Sequence, residues 1–386
     1  MRKLVRIAVG AGAALGLAGV AAPAAAGAAG AAGPAWGYGP PGGHNVVFVQ
    51  TDNLAGNQVV TYDRAPGGAL SLAGTYATGG LGGQLNGSVA DHLASQGSLA
   101  YDARQGLLYA VNAGSNTVSV FSVHGDTLTL RQVVGSGGQF PVSVAVHDHL
   151  VYVLNAQGGG SVQGFVSFYG HLFALPATNR NLGLTIPTDT TQFTHTPGQV
   201  AFSPDGSQLV VTTKAAGQSI DVFHVGNWGW LSPSPVVNSE PGTVPFAVTF
   251  DAAGHLAVAN AGTNALATYA LAPNGTVTLL DTVGTGAKAT CWLTSAQGYL
   301  FTSNAASATV SGFSSAPSGS LTLLGAAGTD PGTVDAAASP DGTNLYVQTG
   351  VNGIVDEFQV GSGGALTPIG SVTVAGAAGG EGIAAS

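Results

Sequence analysis

The chain has 386 residues, with 61 glycines, 19 prolines, one cysteine and only 7% charged residues. Nine Lys and Arg against eighteen Asp and Glu give a formal charge of −9, an acidic balance that repels phosphate backbones and makes nucleic acid and anionic membranes poor partners. One cysteine excludes an intramolecular disulfide, and few charges with many glycines describe apolar strands joined by tight turns, not helices.

The chain begins with Arg2, Lys3 and Arg6, an apolar run and Ala24-Ala25-Ala26, the layout of a secretory signal with a small-residue cleavage site. Residues 1–26 are therefore expected to be a signal peptide, 27–43 a flexible Gly/Ala/Pro leader, and 44–386 the folded part of a secreted, extracellular protein. Without the three cations of the signal, six Lys and Arg face eighteen Asp and Glu, a net charge near −12. No other segment has the ~20 consecutive apolar residues of a membrane-spanning helix.

From residue 47 onward a two-strand unit recurs seven times: 47–62, 107–121, 151–165, 209–223, 256–269, 300–313 and 345–358. Its first strand ends at Thr51, Asn112, Asn155, Thr213, Asn260, Asn304 and Thr349, at steps of 61, 43, 58, 47, 44 and 45 residues. Four steps match one four-stranded propeller blade, and the two long ones coincide with insertions at about 79–95 and 176–196. Flanking strands such as VSVAVH (142–147) and FAVTFD (246–251), with turns such as Pro204-Asp205-Gly206 and Pro340-Asp341-Gly342, complete each meander. The predicted fold is all-β, a seven-bladed β-propeller with four antiparallel strands per blade. The first unit lacks a leading strand and the chain ends in GGEGIAAS (379–386), so the last strand is expected to pair with the first blade and close the ring. The aromatics Tyr62, Phe121, Phe165, Phe223, Tyr269, Phe313 and Phe358 are expected to pack between blades.

The segment Tyr109 to Val120, with its Asn-Ala-Gly-Ser-Asn-Thr-Val-Ser-Val turn, and the Ser-Pro-Asp-Gly turns at 203–206 and 339–342 resemble the repeats of the seven-bladed lactonase family, which includes 6-phosphogluconolactonases and carboxymuconate cyclases. The resemblance covers about residues 45–386. It looks most like a secreted actinobacterial branch with YVTN-like, WD40-like repeats, in which a pair like Cys291-Trp292 also occurs. Enzymes of the family resemble one another in a His or Arg just after a proline where the chain enters the channel-lining strand. The corresponding positions here read Phe140-Pro141-Val142, Thr196-Pro197-Gly198, Val244-Pro245-Phe246 and Asp330-Pro331-Gly332. The prolines are present and the catalytic residue types are not, so no catalytic residue of the family carries over.

Groups with chemistry that the topology assigns to the channel mouth are Asp52, Asp91, His92, Arg180, Asp189, His195, Lys214, Glu240, Lys288, Asp330 and Glu381. Lactone opening needs a base or activated water and cationic help for the developing oxyanion, which makes His195, Glu240 and Lys288 the catalytic candidates. Arg180, Lys214, Glu381, Asp91 and His92 are the ligand-binding candidates. Each also has a plain reading as a solvated or turn-capping residue. His147-Asp148-His149 falls on the opposite face and reads as a turn, Cys291 as a small buried hydrophobe, and Trp228 with Trp230 as packing against a blade edge. No phosphate loop, zinc signature or serine-hydrolase elbow is present.

No cofactor and no metal are implied, and a monomer is expected. Two functions fit. The first is a ligand- or protein-binding module, taking a small molecule or an extracellular protein at the channel mouth. The second is a lactone-acting enzyme, a lactone hydrolase or muconate cyclase type, with a rebuilt site. Both insertions lead into channel-lining strands, where loops on a rigid scaffold carry function.

Overall fold

The two middle strands of each blade are buried over most of their length, and the second is buried from end to end in strands such as Leu107–Asn112 and Asn344–Thr349. Both faces of such a strand pack against neighbouring blades, so its sequence runs continuously apolar instead of alternating. Outer strands such as Val277–Gly284 have one covered face and alternate between half-buried and exposed positions. In the computed structural model, which describes residues 45–386, these strands form seven antiparallel sheets, each built on a four-strand meander, with a fifth short strand added in one. The signal and leader expected over 1–43 lie outside the described residues. Among the described residues no helix is long and apolar enough to cross a membrane.

From the axis outward, blade 2 is Leu99–Asp102, Leu107–Asn112, Thr117–His124 and Thr127–Gly135. Blades 3 to 7 repeat this order, with inner strands Gln139–His147, Val200–Phe202, Pro245–Phe250, Thr290–Ala296 and Thr333–Ala338. Blade 1 is composite, because its inner strand is Ile383–Ala385, paired with Val46–Gln50 in the register Val47 to Ala385 and Val49 to Ile383. Gln50 N donates to Gly382 O at 2.8 Å and Ser386 N to Val46 O at 2.9 Å. The ring closes as the sequence indicates.

All seven repeat aromatics are at most 3% exposed. In blades 1, 2, 5, 6 and 7 the pairing of the third and fourth strands slips by one residue at that aromatic, as between Thr268 and Tyr269. A bulge there bends the outer strand over the ring. Blade 3 departs from this pattern. Its outer strand His171–Ala174 stops opposite Phe165, and the second insertion leaves from that point before Arg180–Asn181 returns to pair with Val162 and Ser161.

The Ser-Pro-Asp-Gly turns lie on the lower face, where inner strands pass to their neighbours. Asp205 accepts from Ser203 Oγ at 2.6 Å and from Ser207 N at 3.1 Å, and Asp341 accepts from Ser339 Oγ and Thr343 N in the same way. The aspartate is there to cap the turn. Deleting residues 380–386 removes the inner strand of blade 1 and opens a sheet edge, and is expected to lower the melting temperature by roughly 10 °C; an unchanged calorimetric melt would refute this closure.

Candidate functional site

The first insertion runs from blade 1 to blade 2 across the upper face without forming a strand. It starts beside both blades, where Gly82 N donates to Asn53 O and Gly114 N to Leu81 O. Ala90 then presses on blade 7 so closely that a Cβ on Gly350 would fall 1.5 Å from its carbonyl oxygen. His92 N donates to Gly379 O at 2.8 Å, and a Cβ on Gly379, whose φ is +80°, would strike the His92 ring. Ser95 Oγ donates to Val142 O of blade 3 at 2.9 Å. Trp292 Nε1 of blade 6 donates to Ser95 O at 2.6 Å, and Gln96 exchanges two hydrogen bonds with the main chain of Leu293. Gln96 N donates to Gly198 O at the start of blade 4. A stretch of seven residues that touches blades 3, 4, 6 and 7 must lie over the axis. Residues 85–97 are a strap across the channel mouth.

The second insertion clasps the first. Asn86 Nδ2 donates to Thr188 O at 2.9 Å, Asn86 N to Gln192 Oε1 at 3.0 Å, and Phe193 N returns to Asn86 O. One lysine ties both to the ring. Lys214, in the turn after the second strand of blade 4, donates from Nζ to Ala94 O at 2.5 Å, to Phe193 O at 2.6 Å and to Thr196 Oγ1 at 2.8 Å. Its three donors are thereby engaged, and the ammonium lies 5.2 Å from the centre of the Phe246 ring.

Four carboxyl groups meet beneath the strap: Asp52, Asp91, Asp335 and Glu381 are at most 5% exposed. Glu381 Oε1 accepts from Gly97 N at 2.8 Å, and Glu381 N donates to Asp52 Oδ2 at 2.8 Å. Asp91 accepts from Leu93 N at 2.7 Å and Ser95 N at 2.8 Å, which shapes the strap itself. Asp335 and Glu381 are neighbours whose carboxylates repel. Burial raises all four: Asp52 rises to about 8, and Asp91, Asp335 and Glu381 move well up, Glu381 further by the neighbouring carboxylates. Burial lowers Lys214 to about 7, against the pull of Asp91. It also pushes the Cys291 thiol up to about 12, which makes that thiol inert as a nucleophile.

The fold gathers Asp52, Asp91, Lys214 and Glu381 from the sequence-derived set. It adds Asp335, which sequence reasoning passed over inside the small-residue strand TVDAAA. His92 stands beside them on the strap, its Nδ1 buried without a partner and its pKa lowered by burial. The catalytic candidates stand elsewhere. His195 Nδ1 is bonded to Thr191 O and Thr194 Oγ1 on the second insertion, Glu240 accepts from Tyr269 Oη at 3.2 Å, and Lys288 is exposed on the loop between blades 5 and 6. Among the described residues no hydrogen bond or ion pair joins any two of these three.

Arg180 was expected at the mouth, but the structure puts it on the outer seam of blades 3 and 4. There its guanidinium donates to the carbonyls of Ala177, Asn179, Leu231 and Ser232, because the inserted strand it occupies pairs back onto the rim. Asp189 caps the turn at Thr191, and Asp330 lies outside the cluster, its main-chain N donating to Asp356. The lower-face reading of His147-Asp148-His149 agrees with the turn there, where Arg104 pairs with Asp148. Trp228 and Trp230 do not pack against the blade edge: Trp228 is 87% exposed at φ +66°. Among the described residues no cluster of three or more His, Cys, Asp or Glu is arranged to hold a metal ion. Two surface clefts of about 360 Å³ lie on the lower face of blades 5 to 7 and on the rim of blades 1 and 2, and neither is lined by the mouth residues.

The family model described as "Lactonase, 7-bladed beta-propeller" matches residues 58–257. Among solved structures, the chain is similar to a protein from Lactobacillus plantarum at 18% identity and a TM-score of 0.71, covering 88% of this chain and 98% of that one. It is similar to a 6-phosphogluconolactonase candidate from Bacteroides fragilis at 19% identity and 0.68, covering 90% and 99%. A periplasmic gluconolactonase from Pseudomonas aeruginosa aligns at 18% identity and 0.68, covering 88% and 98%. No curated protein matches the sequence. At these identities the structural likenesses establish the fold alone.

The buried carboxyls give stability a definite pH dependence. Between the ordinary aspartate value of 3.8 and about 8, folded Asp52 holds a proton that the unfolded chain lacks, so stability falls as pH rises through that window. Asp91, Asp335 and Glu381 act in the same direction. Lys214 opposes them only above about 7, where the unfolded chain binds the extra proton, and His92 opposes them only toward acid. The melting temperature at pH 5 should exceed that at pH 8 by about 5 °C or more; a higher melt at pH 8 would contradict this assignment.

Proposed function

We propose that this chain, which belongs to the family of seven-bladed β-propeller lactonases, is an exported binding propeller that presents its upper face to a small molecule or an extracellular protein. One observation carries the reading: the mouth is closed by residues 85–97, and the charged groups that line it are turned into fastenings for that strap. A substrate cannot reach Lys214, Asp91 or Glu381 while these bonds stand. His195, Glu240 and Lys288 sit on separate loops, so among these three no base stands beside the cationic group that would meet a tetrahedral oxyanion. What the upper face offers to solvent is the pair of clasped insertions, variable loops on a rigid ring. The layout of residues 1–26 supports export.

A second reading is favoured by the gathering of one lysine and four carboxyls at the mouth. On that reading the chain is a lactone-acting enzyme whose site lies under the strap. Incubating the purified protein without residues 1–26 with a panel of sugar lactones, phosphorylated sugar lactones and simple γ-lactones separates the two. No turnover above buffer hydrolysis is expected. Turnover abolished by His195→Ala would overturn the binding reading in favour of a site on the second insertion, and turnover abolished by Lys214→Met would place it beneath the strap.

A further inference from the structure

The strap is fastened to groups whose charge must be suppressed for the closed state to exist. Asp335 and Glu381 are buried side by side with Asp52 and Asp91, and carboxylates so placed oppose one another's ionisation. Glu381 reaches the strap at Gly97 N and Ser98 N and holds Asp52 through its own main chain. Among the described residues the Gln50 carboxamide is the one side-chain partner of Asp52, at 2.5 Å, and Gln50 Oε1 is buried without one. Rotating that amide, whose N and O are assigned from the network, lets a protonated Asp52 donate to the orphaned oxygen.

We propose that residues 85–97 form a proton-latched strap, shut over the channel mouth while the carboxyl cluster is protonated and released as the pH rises. The groups facing it from each packed element are Asp91 and His92 on the strap, Asp52 from the first hairpin, Asp335 from the inner strand of blade 7, and Glu381 from the C-terminal segment. Lys214 of blade 4 and Cys291 of blade 6 complete the set. In the closed state each carboxyl is buried, and Lys214 stands beside Asp91. Once the strap lifts, water solvates all of them and their protons leave at neutral pH. Opening therefore releases protons. Above about 7, Lys214 works the other way, since it gains a proton when uncovered. His92 stays uncharged above its ordinary value of 6.5, so from about pH 6.5 upward Lys214 alone among these groups opposes the carboxyls, which outnumber it. The released mouth uncovers the Lys214 ammonium and the Trp292 indole N–H, both now capped by carbonyls of the strap. The inference concerns the strap itself and stands apart from whatever the upper face binds.

Cys291 is the sole cysteine of the chain, buried under this cluster, and reports opening without a ligand. Its alkylation rate by iodoacetamide, divided at each pH by that of the urea-unfolded chain, cancels the intrinsic ionisation of a thiol. The ratio is expected to rise at least tenfold per pH unit between about pH 6 and 7, one proton or more leaving per opening. The Asp335→Asn, Glu381→Gln double variant is expected to show a shallower slope. Hydrogen exchange on the wild type, corrected for intrinsic rates, is the second measurement: peptides covering 85–97 should lose protection with rising pH while those of Thr117–His124 keep theirs. A ratio independent of pH overturns the proposal. So does an unchanged slope in the folded double variant, a simultaneous loss of protection in the blades, or abolition of the pH dependence by millimolar Ca²⁺, which would make a cation the latch.

Discussion

The pairing of Ile383–Ala385 with Val46–Gln50 is the contact on which the molecule turns. A ring of sheets has no open edge only when its last strand finds its first, and that strand is only three residues long. Its short ladder is reinforced from the segment just before it. Glu381 N holds Asp52 in the first hairpin, Ser98 Oγ donates to Glu381 O, and the Glu381 carboxylate takes Gly97 N of the strap. Closure of the ring and closure of the mouth thus share one residue. Strain or ionisation at Glu381 is felt by both.

The fold was legible because its constraint repeats. A blade needs two strands buried on both faces, a tight turn between them and one large ring at the seam with the next blade. Each requirement leaves its own mark: apolar runs such as LLYAVN, small polar turns such as Asn-Ala-Gly-Ser-Asn after them, and Tyr or Phe at the end of the strand that follows. Seven copies made the phase unambiguous, and the composite first blade followed from which strand was missing. The slip at the aromatic in five blades was not legible, because one extra residue in an outer strand is indistinguishable in sequence from a strand one residue longer.

The site was legible only as a face. Topology put Asp52, Asp91, Lys214 and Glu381 at one end of the ring, but whether they meet water depends on the path of the first insertion. That path is set by contacts between residues such as Gln96 and Leu293, which lie 197 positions apart. No local pattern encodes such a contact. Asp335 did leave a signal: a single carboxylate in a strand otherwise made of small apolar residues is a charge where burial is required, and a charge there needs a reason. Trp228 was misread for the converse cause. Its turn takes the same left-handed conformation as Gly363 in blade 7, at φ +66° and +76°, which turns a large ring outward at a position where glycine is the unstrained choice.

The scarcity of cations explains why the seal takes this form. Six Lys and Arg follow residue 26, and most are engaged elsewhere. Arg64 holds Asn45, Arg104 pairs with Asp148, Arg180 binds main-chain carbonyls on the rim, and Lys288 stands in solvent. Arg131 is exposed on the outer strand of blade 2, which leaves Lys214 among the described residues for four buried carboxyls. Ionised together, they would carry a net charge of about −3 in a dry interior, a state costing several kcal/mol per unpaired ion. A buried carboxyl without a counter-ion keeps its proton instead, and a protonated carboxyl can donate as well as accept. That second capacity lets Asp52 satisfy Gln50. An arginine at the mouth would have fixed the same geometry at every pH. By using protons in place of cations, this chain makes the closure of its channel a function of the solution around it.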